Sequence, residues 1–469
     1  MNFEDQIEIK AVLSSFDIIV FFLTIIITIG FIYYGHRQKK KSNTEDSLLD
    51  LLLMGRQLTL PLFVATLVAT WYGGIFGVAQ IAFENGIFNF VSQGIFWYLT
   101  YAIFAFFIVH KIADYKAVTL PDLIGKMFGE KSRVLAGVFN ILNLVPIVYT
   151  ISIGFLLNLI LGIDFTIGII LGTSFVVLYS FFGGLRSVVY SDLFQFFIMI
   201  SAVILVLFFS FYHFSTTPLS NLPRYYFSPL AKFSLAETFA WGLIALSTLV
   251  DPNFYQRCFA AINLRTARKG ILLSTLVWII FDLSLTLGAM YAKAIIPEAD
   301  SSQGYFIYAL QILPDGLRGL FLAGILATIL STLDSYIFLA GSTLSFDLVP
   351  KSWRGKLSIH YLSIIFIGIL SILMATIFDG NIKAVWKTLG SISSAALLIP
   401  VVSGYMMKKR INDNQFAITA ISSAVITCVW RLGGYKEKYQ LDEIYIGMLT
   451  SISLILIFQL KQKLELKKV

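Results

Sequence analysis

Runs of about twenty apolar residues, nearly free of charge, recur between Ser15 and Leu460 of this 469-residue chain. A run of that length, wound as a helix, crosses the hydrocarbon core of a bilayer. Lipid offers the backbone no hydrogen bonds, so many such runs in one chain demand many helices. Charged residues make up only 13% of the chain and hydrophobic residues 57%. That charged share is about half of what a soluble domain carries. A soluble enzyme, a disordered chain and a nucleic-acid-binding domain are therefore excluded. The fold class expected is an all-α integral membrane protein, with the lipid bilayer as its partner and no nucleic acid.

Other chemistry is thin. Cys258 and Cys428 lie far apart with no CxxC, and the four histidines form no metal-ligand spacing. No nucleophile–base pair or phosphate loop occurs, so an enzyme is not expected. The start carries Glu4, Asp5 and Glu8 against Lys10. It lacks the basic start and small-residue cleavage site of a signal peptide, which predicts that the first span is retained.

Hydropathy windows give thirteen spans. Span 0 lies near 15–35, followed by 59–82, 88–109, 133–161, 165–183, 187–213 and 233–255. The remainder lie at 267–292, 316–347, 357–378, 382–407, 414–431 and 442–460. The segment Gln303–Leu313 is expected to be an outer-surface helix. With the N-terminus outside, alternate loops hold 25 of the 35 Lys and Arg residues. These run from Arg37, Lys39, Lys40, Lys41 and Arg56 through Arg133, Arg186 and Arg257 to Lys408, Lys409, Lys467 and Lys468. The positive-inside bias then predicts a cytoplasmic C-terminus.

Two spans carry helix breakers. Span 1 reads Ala69-Thr70-Trp71-Tyr72-Gly73-Gly74, and span 6 reads Val250-Asp251-Pro252-Asn253. Proline removes a ladder hydrogen bond and disfavours helix at the residue before it. Interrupted spans at corresponding places point to a binding site near the bilayer midplane, although ordinary kinks are the alternative.

Carboxylates at bilayer depth are costly and need partners or a wet pocket. The candidates are Asp192, Asp251, Asp282 and Asp334, and no lysine or arginine is expected well inside any span. For Asp192 the alternative is a hydrated place near the inner interface. For Asp282 it is a residue without a role. Thr328, Ser331, Thr332 and Ser335 line one face of span 8. Hard oxygen ligands suit a hard cation such as sodium. Hydroxyls that merely bond back to their own helix are the alternative.

Gly183-Gly184-Leu185-Arg186-Ser187 through Ser191-Asp192-Leu193-Phe194-Gln195 resembles the signature of the sodium:solute symporter family. Leu67-Val68-Ala69-Thr70-Trp71 is similar to that family's entry into span 1. Ala323-Gly324 through Ser331-Thr332-Leu333-Asp334-Ser335 looks like its span 8, and Tyr255-Gln256-Arg257 like its span 6 exit. The resemblance runs from about residue 50 to 410. It implies the LeuT-type fold, two inverted five-helix repeats with one span before and two after. The corresponding divisions are 1–58, 59–213, 233–407 and 408–469.

The resemblance further implies sodium as coupling ion, held by the carbonyls of Ala69, Tyr72 and Thr328 and the hydroxyls of Ser331 and Thr332. Asp192, Asp334 and Ser335 would form an exit route or second cation site, although an aspartate at 334 departs from the family's hydroxyl. The solute pocket would use Trp71, Gly73, Gly74 and Ile75, with Asp251 and Asn253, and Ser391, Ser393 and Ser394 facing in. An aromatic ring near a lone carboxylate can hold an organic cation. The alternative is that Trp71 packs on a neighbouring helix and Asp251 caps the broken backbone.

The function expected is sodium-coupled symport of a small organic solute, amino-acid-like or cationic in preference to a sugar. The expected location is a plasma (inner) membrane. A proton-coupled symporter, indifferent to sodium, and a solute-sensing receptor, which would need an output domain, are the alternatives.

Overall fold

The computed structural model describes residues 13–40, 47–180, 184–354, 356–407 and 410–466. Glu4, Asp5, Glu8, Lys10, Lys41, Gly183, Lys408, Lys409, Lys467 and Lys468 lie outside the described residues. Among those described, regular structure is helical, with one isolated bridge between Leu58 and Ala261. Ten helices are long and apolar enough to cross a membrane. Two more, Leu60–Ala69 and Phe165–Ser180, are apolar but shorter.

The shortfall has a local cause. Span 1 is split: helix Leu60–Ala69 stops, Thr70–Gly74 is unwound, and helix Ile75–Asn85 follows. A β-carbon added to Gly73 would lie 2.6 Å from Thr332 Cβ, and one on Gly74 would lie 2.5 Å from Trp386 Cζ2. Only glycine lets the unwound backbone approach these neighbours so closely. Span 6 is split as well, into Leu235–Ala245, the tight turn Leu246–Val250, and Pro252–Ala260. Asp251 takes an extended backbone (φ −84°, ψ 116°), as a residue before proline prefers. Its side chain accepts the Asn253 N–H at 2.7 Å, which caps the restarted helix.

A third break, not anticipated from the sequence window 133–161, falls at Val145-Pro146. It separates Glu130–Leu144 from Ile147–Leu161, and Pro146 lacks the N–H that would continue the ladder. The segment expected to be an outer-surface helix, 303–313, is packed against the rest of the protein. Helix Gly304–Ile312 exists, but Tyr305, Phe306, Tyr308 and Leu310 are buried. Its apolar side chains at i, i+1, i+3 and i+5 face the protein, while Gln311 is exposed.

Helix Leu317–Ser342 runs through the centre of the molecule, nearly all of it buried. Gly324 lets it pack against helix Gly184–Phe214, since an added β-carbon there would meet Ala202 Cβ at 2.5 Å. The N-terminus of this central helix is held by the first helix, Ser15–Lys40. Asp17 Oδ1 accepts the N–H groups of Gly316 and Gly319 at 2.7 and 3.0 Å. A carboxylate at a helix N-terminus satisfies orphan donors and complements the helix dipole.

Several basic residues assigned to inner loops are instead buried and paired. Arg186 meets Asp50 at 2.7 Å, and Arg133 meets Asp347 at 3.0 Å. Arg257, also placed in a loop, is fully buried. The early stop of span 6 at Asp251-Pro252 turns the following helix inward and takes this arginine with it.

Candidate functional site

Unwinding at Thr70–Gly74 leaves the Ala69 carbonyl without its usual partner four residues on. Two hydroxyls of span 8 reach it: Ser331 Oγ donates at 2.7 Å and Thr332 Oγ1 lies at 3.4 Å. The same hydroxyls contact the Thr328 carbonyl at 3.2 and 3.0 Å. Two carbonyls and two hydroxyls therefore converge between spans 1 and 8, all buried. These are hard, neutral oxygens, a donor set that fits sodium. The Thr328 hydroxyl is directed elsewhere, onto Gly324 O at 2.7 Å. The Tyr72 ring stacks on Phe281 with centroids 3.9 Å apart.

One turn further along, polar groups from four spans meet. Thr66 Oγ1 donates to Asp192 Oδ2 at 2.5 Å, and Arg257 Nη2 contacts Thr66 Oγ1 at 3.2 Å and Ser335 Oγ at 3.0 Å. Asp334 turns the other way and accepts from Ser180 at 2.7 Å. Asp192 is fully buried, so a hydrated place at the inner interface does not describe it. Nor does the expected lack of a buried cation hold, because Arg257 is fully buried and contacts Thr66 and Ser335. Of the three residues expected to form a second cation site, Ser335 contacts a guanidinium already in place, Asp192 is linked to it through Thr66, and Asp334 turns to Ser180.

On the other side of the span 1 break lies a cavity of about 140 Å³. Its walls come from Trp71, Tyr72 and Gly74 of the break and from Trp241, Ser247 and Asp251 of span 6. Span 3 contributes Asn143, Pro146 and Tyr149 at its own break, and span 8 contributes Tyr336. Gln93 and Trp97 of span 2 and Trp386 of span 10 complete it. Four of the chain's seven tryptophans line this one space. Asp251 is its one carboxylate, with Oδ2 at 3.5 Å from the Tyr336 hydroxyl, and no lysine or arginine is among its lining residues.

Of the residues expected at a solute pocket, the structure brings Trp71, Gly74 and Asp251 together. Trp71 also packs on Tyr101, Phe254 and Trp278, and Asp251 also caps the backbone, so the alternative placements coexist with cavity lining. Gly73 abuts Thr332, Ile75 is buried elsewhere, and Asn253 turns its amide to Thr70 Oγ1 at 3.2 Å. Ser391, Ser393 and Ser394 are not brought into the cavity. Span 10 presents Val385, Trp386, Leu389 and Gly390 there, and Ser393 bonds Phe139 O at 3.3 Å. The serines lie on the same helix but past the cavity's end. Asp282 accepts a hydrogen bond from Tyr98. Trp97, Trp241 and Trp386 were missed, and the signal available was tryptophan within otherwise aliphatic spans.

Comparisons with known proteins bear on the family and the fold. An osmoregulated proline transporter of Bacillus subtilis is 27% identical over 72% of each chain. A sodium/proline symporter of Staphylococcus aureus is 26% identical over 95% of this chain and 92% of its own. A sodium/pantothenate symporter of Haemophilus influenzae is 26% identical over 69% of each. The solved structure of a substrate-bound, outward-open Na+-coupled sialic acid symporter matches with a TM-score of 0.77 at 16% identity. It covers 96% of this chain and 98% of its own, and shows that the fold is shared. The family model described as the sodium:solute symporter family matches residues 52–420. The chain belongs to the sodium:solute symporter family.

Proposed function

We propose that the protein is a secondary transporter that moves a small organic solute with sodium, and that the solute carries a positively charged nitrogen. An amino-acid-like zwitterion or an organic cation meets that description, and a sugar does not. The carrying observation is the cavity beside the span 1 break, with one carboxylate, four indoles and no basic side chain. Indole faces attract cations, most strongly where water is excluded, and Asp251 supplies the countercharge. Size agrees, since a cavity of about 150 Å³ holds a benzene-sized molecule.

Sodium would sit among the carbonyls of Ala69, Tyr72 and Thr328 and the hydroxyls of Ser331 and Thr332. Binding there joins span 1 to span 8 and favours whichever conformation brings them together. Solute in the cavity adjoins the same unwound segment, so each ligand assists the other by stabilising one arrangement of Thr70–Gly74. Sodium release would pass Asp192. The proposed architecture is thirteen spans: one leading, two inverted five-helix repeats over 59–213 and 233–407, and two trailing. The proposed setting is a plasma membrane with the C-terminus on the cytoplasmic side.

The test is thermal stabilisation of the purified protein by sodium, with potassium as control, in the presence of proline, glycine betaine, choline, pantothenate or glucose. A ligand that prefers the folded state raises its stability by mass action. The expected result is a sodium-specific shift that grows with proline, betaine or choline. A shift insensitive to sodium but responsive to pH would replace sodium coupling by proton coupling. Enhancement by glucose alone would overturn the assignment of the cavity.

A further inference from the structure

Helix Ser15–Lys40 is fixed to the rest of the molecule near both of its ends. At one end Asp17 caps the central helix, and Gly319 leaves room for it; a β-carbon there would meet Asp17 O at 2.1 Å. At the other end Phe31 stacks on Phe194 at 5.3 Å and Tyr34 meets Tyr190 at 5.2 Å. Gly35 completes this end, because a β-carbon there would lie 2.9 Å from Ser187 Cα. Between these fixed points the helix stands off, and a gap of about 470 Å³ opens between it and spans 4, 5 and 8. That volume falls in the range of about 300–1,000 Å³ usual for ligand pockets.

The gap is mostly apolar, and its open side is flanked by Ile29, Tyr33 and Phe175, which are 51%, 55% and 48% exposed. A flank so apolar and so exposed faces hydrocarbon, which means the occupant comes from the bilayer. Two polar atoms in the gap lack partners: Gln195 Oε1 and His36 Nδ1. Gln195 is only 3% exposed. Its amide can present either oxygen or N–H after a half-turn, and so suits an ester carbonyl. His36 stands at the rim beside Arg37, whose guanidinium lies 4.8 Å over the Tyr33 ring and stays exposed. The rim is thus basic while the interior is apolar and ends at a buried amide.

We propose that this gap holds one anionic phospholipid, its phosphate at His36 and Arg37, its ester region at Gln195 and an acyl chain along Ile25, Ile29 and Leu326. An acyl chain gains little by leaving other acyl chains, so selection falls to the headgroup and to the amide. Attraction to one basic residue near an anionic leaflet corresponds to about fivefold in population. Ala327 and Leu330 line the gap, whereas their neighbour Ser331 reaches the Ala69 carbonyl and the Thr328 carbonyl accepts from Ser331 and Thr332. The lipid therefore rests against the back of the helix that carries the converging hydroxyls.

The test is native mass spectrometry of the full chain released from nanodiscs of equal phosphatidylglycerol and phosphatidylcholine. Retention of one phosphatidylglycerol, favoured about fivefold or more, is expected. The double substitution His36→Gln and Arg37→Gln should bring the ratio near one, Arg37→Lys should keep it, and Ile32→Trp should fill the gap and remove the retained lipid. Thermal unfolding of each variant identifies any that fail to fold, and Arg37→Gln alone, expected to lower the ratio towards one, then carries the comparison with wild type and Arg37→Lys. Equal retention of the two lipids by the wild type, or a preference that survives the double substitution, would overturn the proposal.

Discussion

Replacing Ser331 by alanine removes one of the two hydroxyls that reach the Ala69 carbonyl, the closer one at 2.7 Å. The carbonyls of Ala69 and Thr328 stay, held by the backbone, so the loss is one neutral oxygen of the set. A polar contact to a charged partner contributes about 1.5–3 kcal/mol. At about 1.4 kcal/mol per factor of ten, half-saturation by sodium should rise roughly 10- to 150-fold. Thr332→Ala should act in the same range. The double variant should fall short of the product, because both hydroxyls share the same two carbonyls. Thr328→Val is the discriminating partner. Its hydroxyl bonds Gly324 O at 2.7 Å and takes no part in the convergence, so a rise below about threefold is expected, within one ordinary hydrogen bond. The assay is sodium-dependent thermal stabilisation with potassium as control, followed by sodium titration of uptake in proteoliposomes. Equal shifts at Ser331 and Thr328, or wild-type sodium dependence in Ser331→Ala, would refute the reasoning.

Asp251→Asn keeps the cap on Asn253 N–H but removes the cavity's one charge, so the half-saturating solute concentration should rise about 10- to 100-fold. Uptake measured at saturating sodium checks this, and an unchanged value would show that the carboxylate serves the backbone alone. Arg257→Gln removes the buried guanidinium that contacts Thr66 and Ser335 at 3.2 and 3.0 Å and lies near Asp192, which should cost about 1–3 kcal/mol. Adding Asp192→Asn should return part of that stability in chemical denaturation, and failure to do so would separate the two residues.

The two breaks read from Gly73-Gly74 and Asp251-Pro252 are where the chain unwinds, because glycine and proline act on the local backbone whatever surrounds them. The break at Val145-Pro146 follows the same rule and was lost in a window averaged over 29 residues. The hydroxyl face of span 8 was legible from spacing, since helical geometry alone puts Ser331 and Thr332 together. Which carbonyl they meet depends on span 1 ending at Ala69. Arg257 was misplaced for a different reason. Hydropathy assigns a cation to the nearest loop, and nothing in the local sequence reports that the helix after Asp251 turns inward. The serines at 391–394 show the same limit in reverse. A polar stripe fixes a helix face but not how far along the helix a cavity extends.

Gly73 and Gly74 sit in a vice. Thr332 presses on the first and Trp386 on the second, with no side chain between backbone and neighbour on either side. On the glycine side of each contact there is no rotamer to absorb a displacement. Span 10 cannot swing at Trp386 without pushing the unwound strip, and the strip cannot shift without pressing on the span 8 residue that faces Ala69. The three elements are thus in direct contact through the glycine pair, which would serve as the bearing of a single lever. Thickening that bearing by one methyl group should jam the stroke, because the methyl would press on Thr332 at Gly73 or on Trp386 at Gly74.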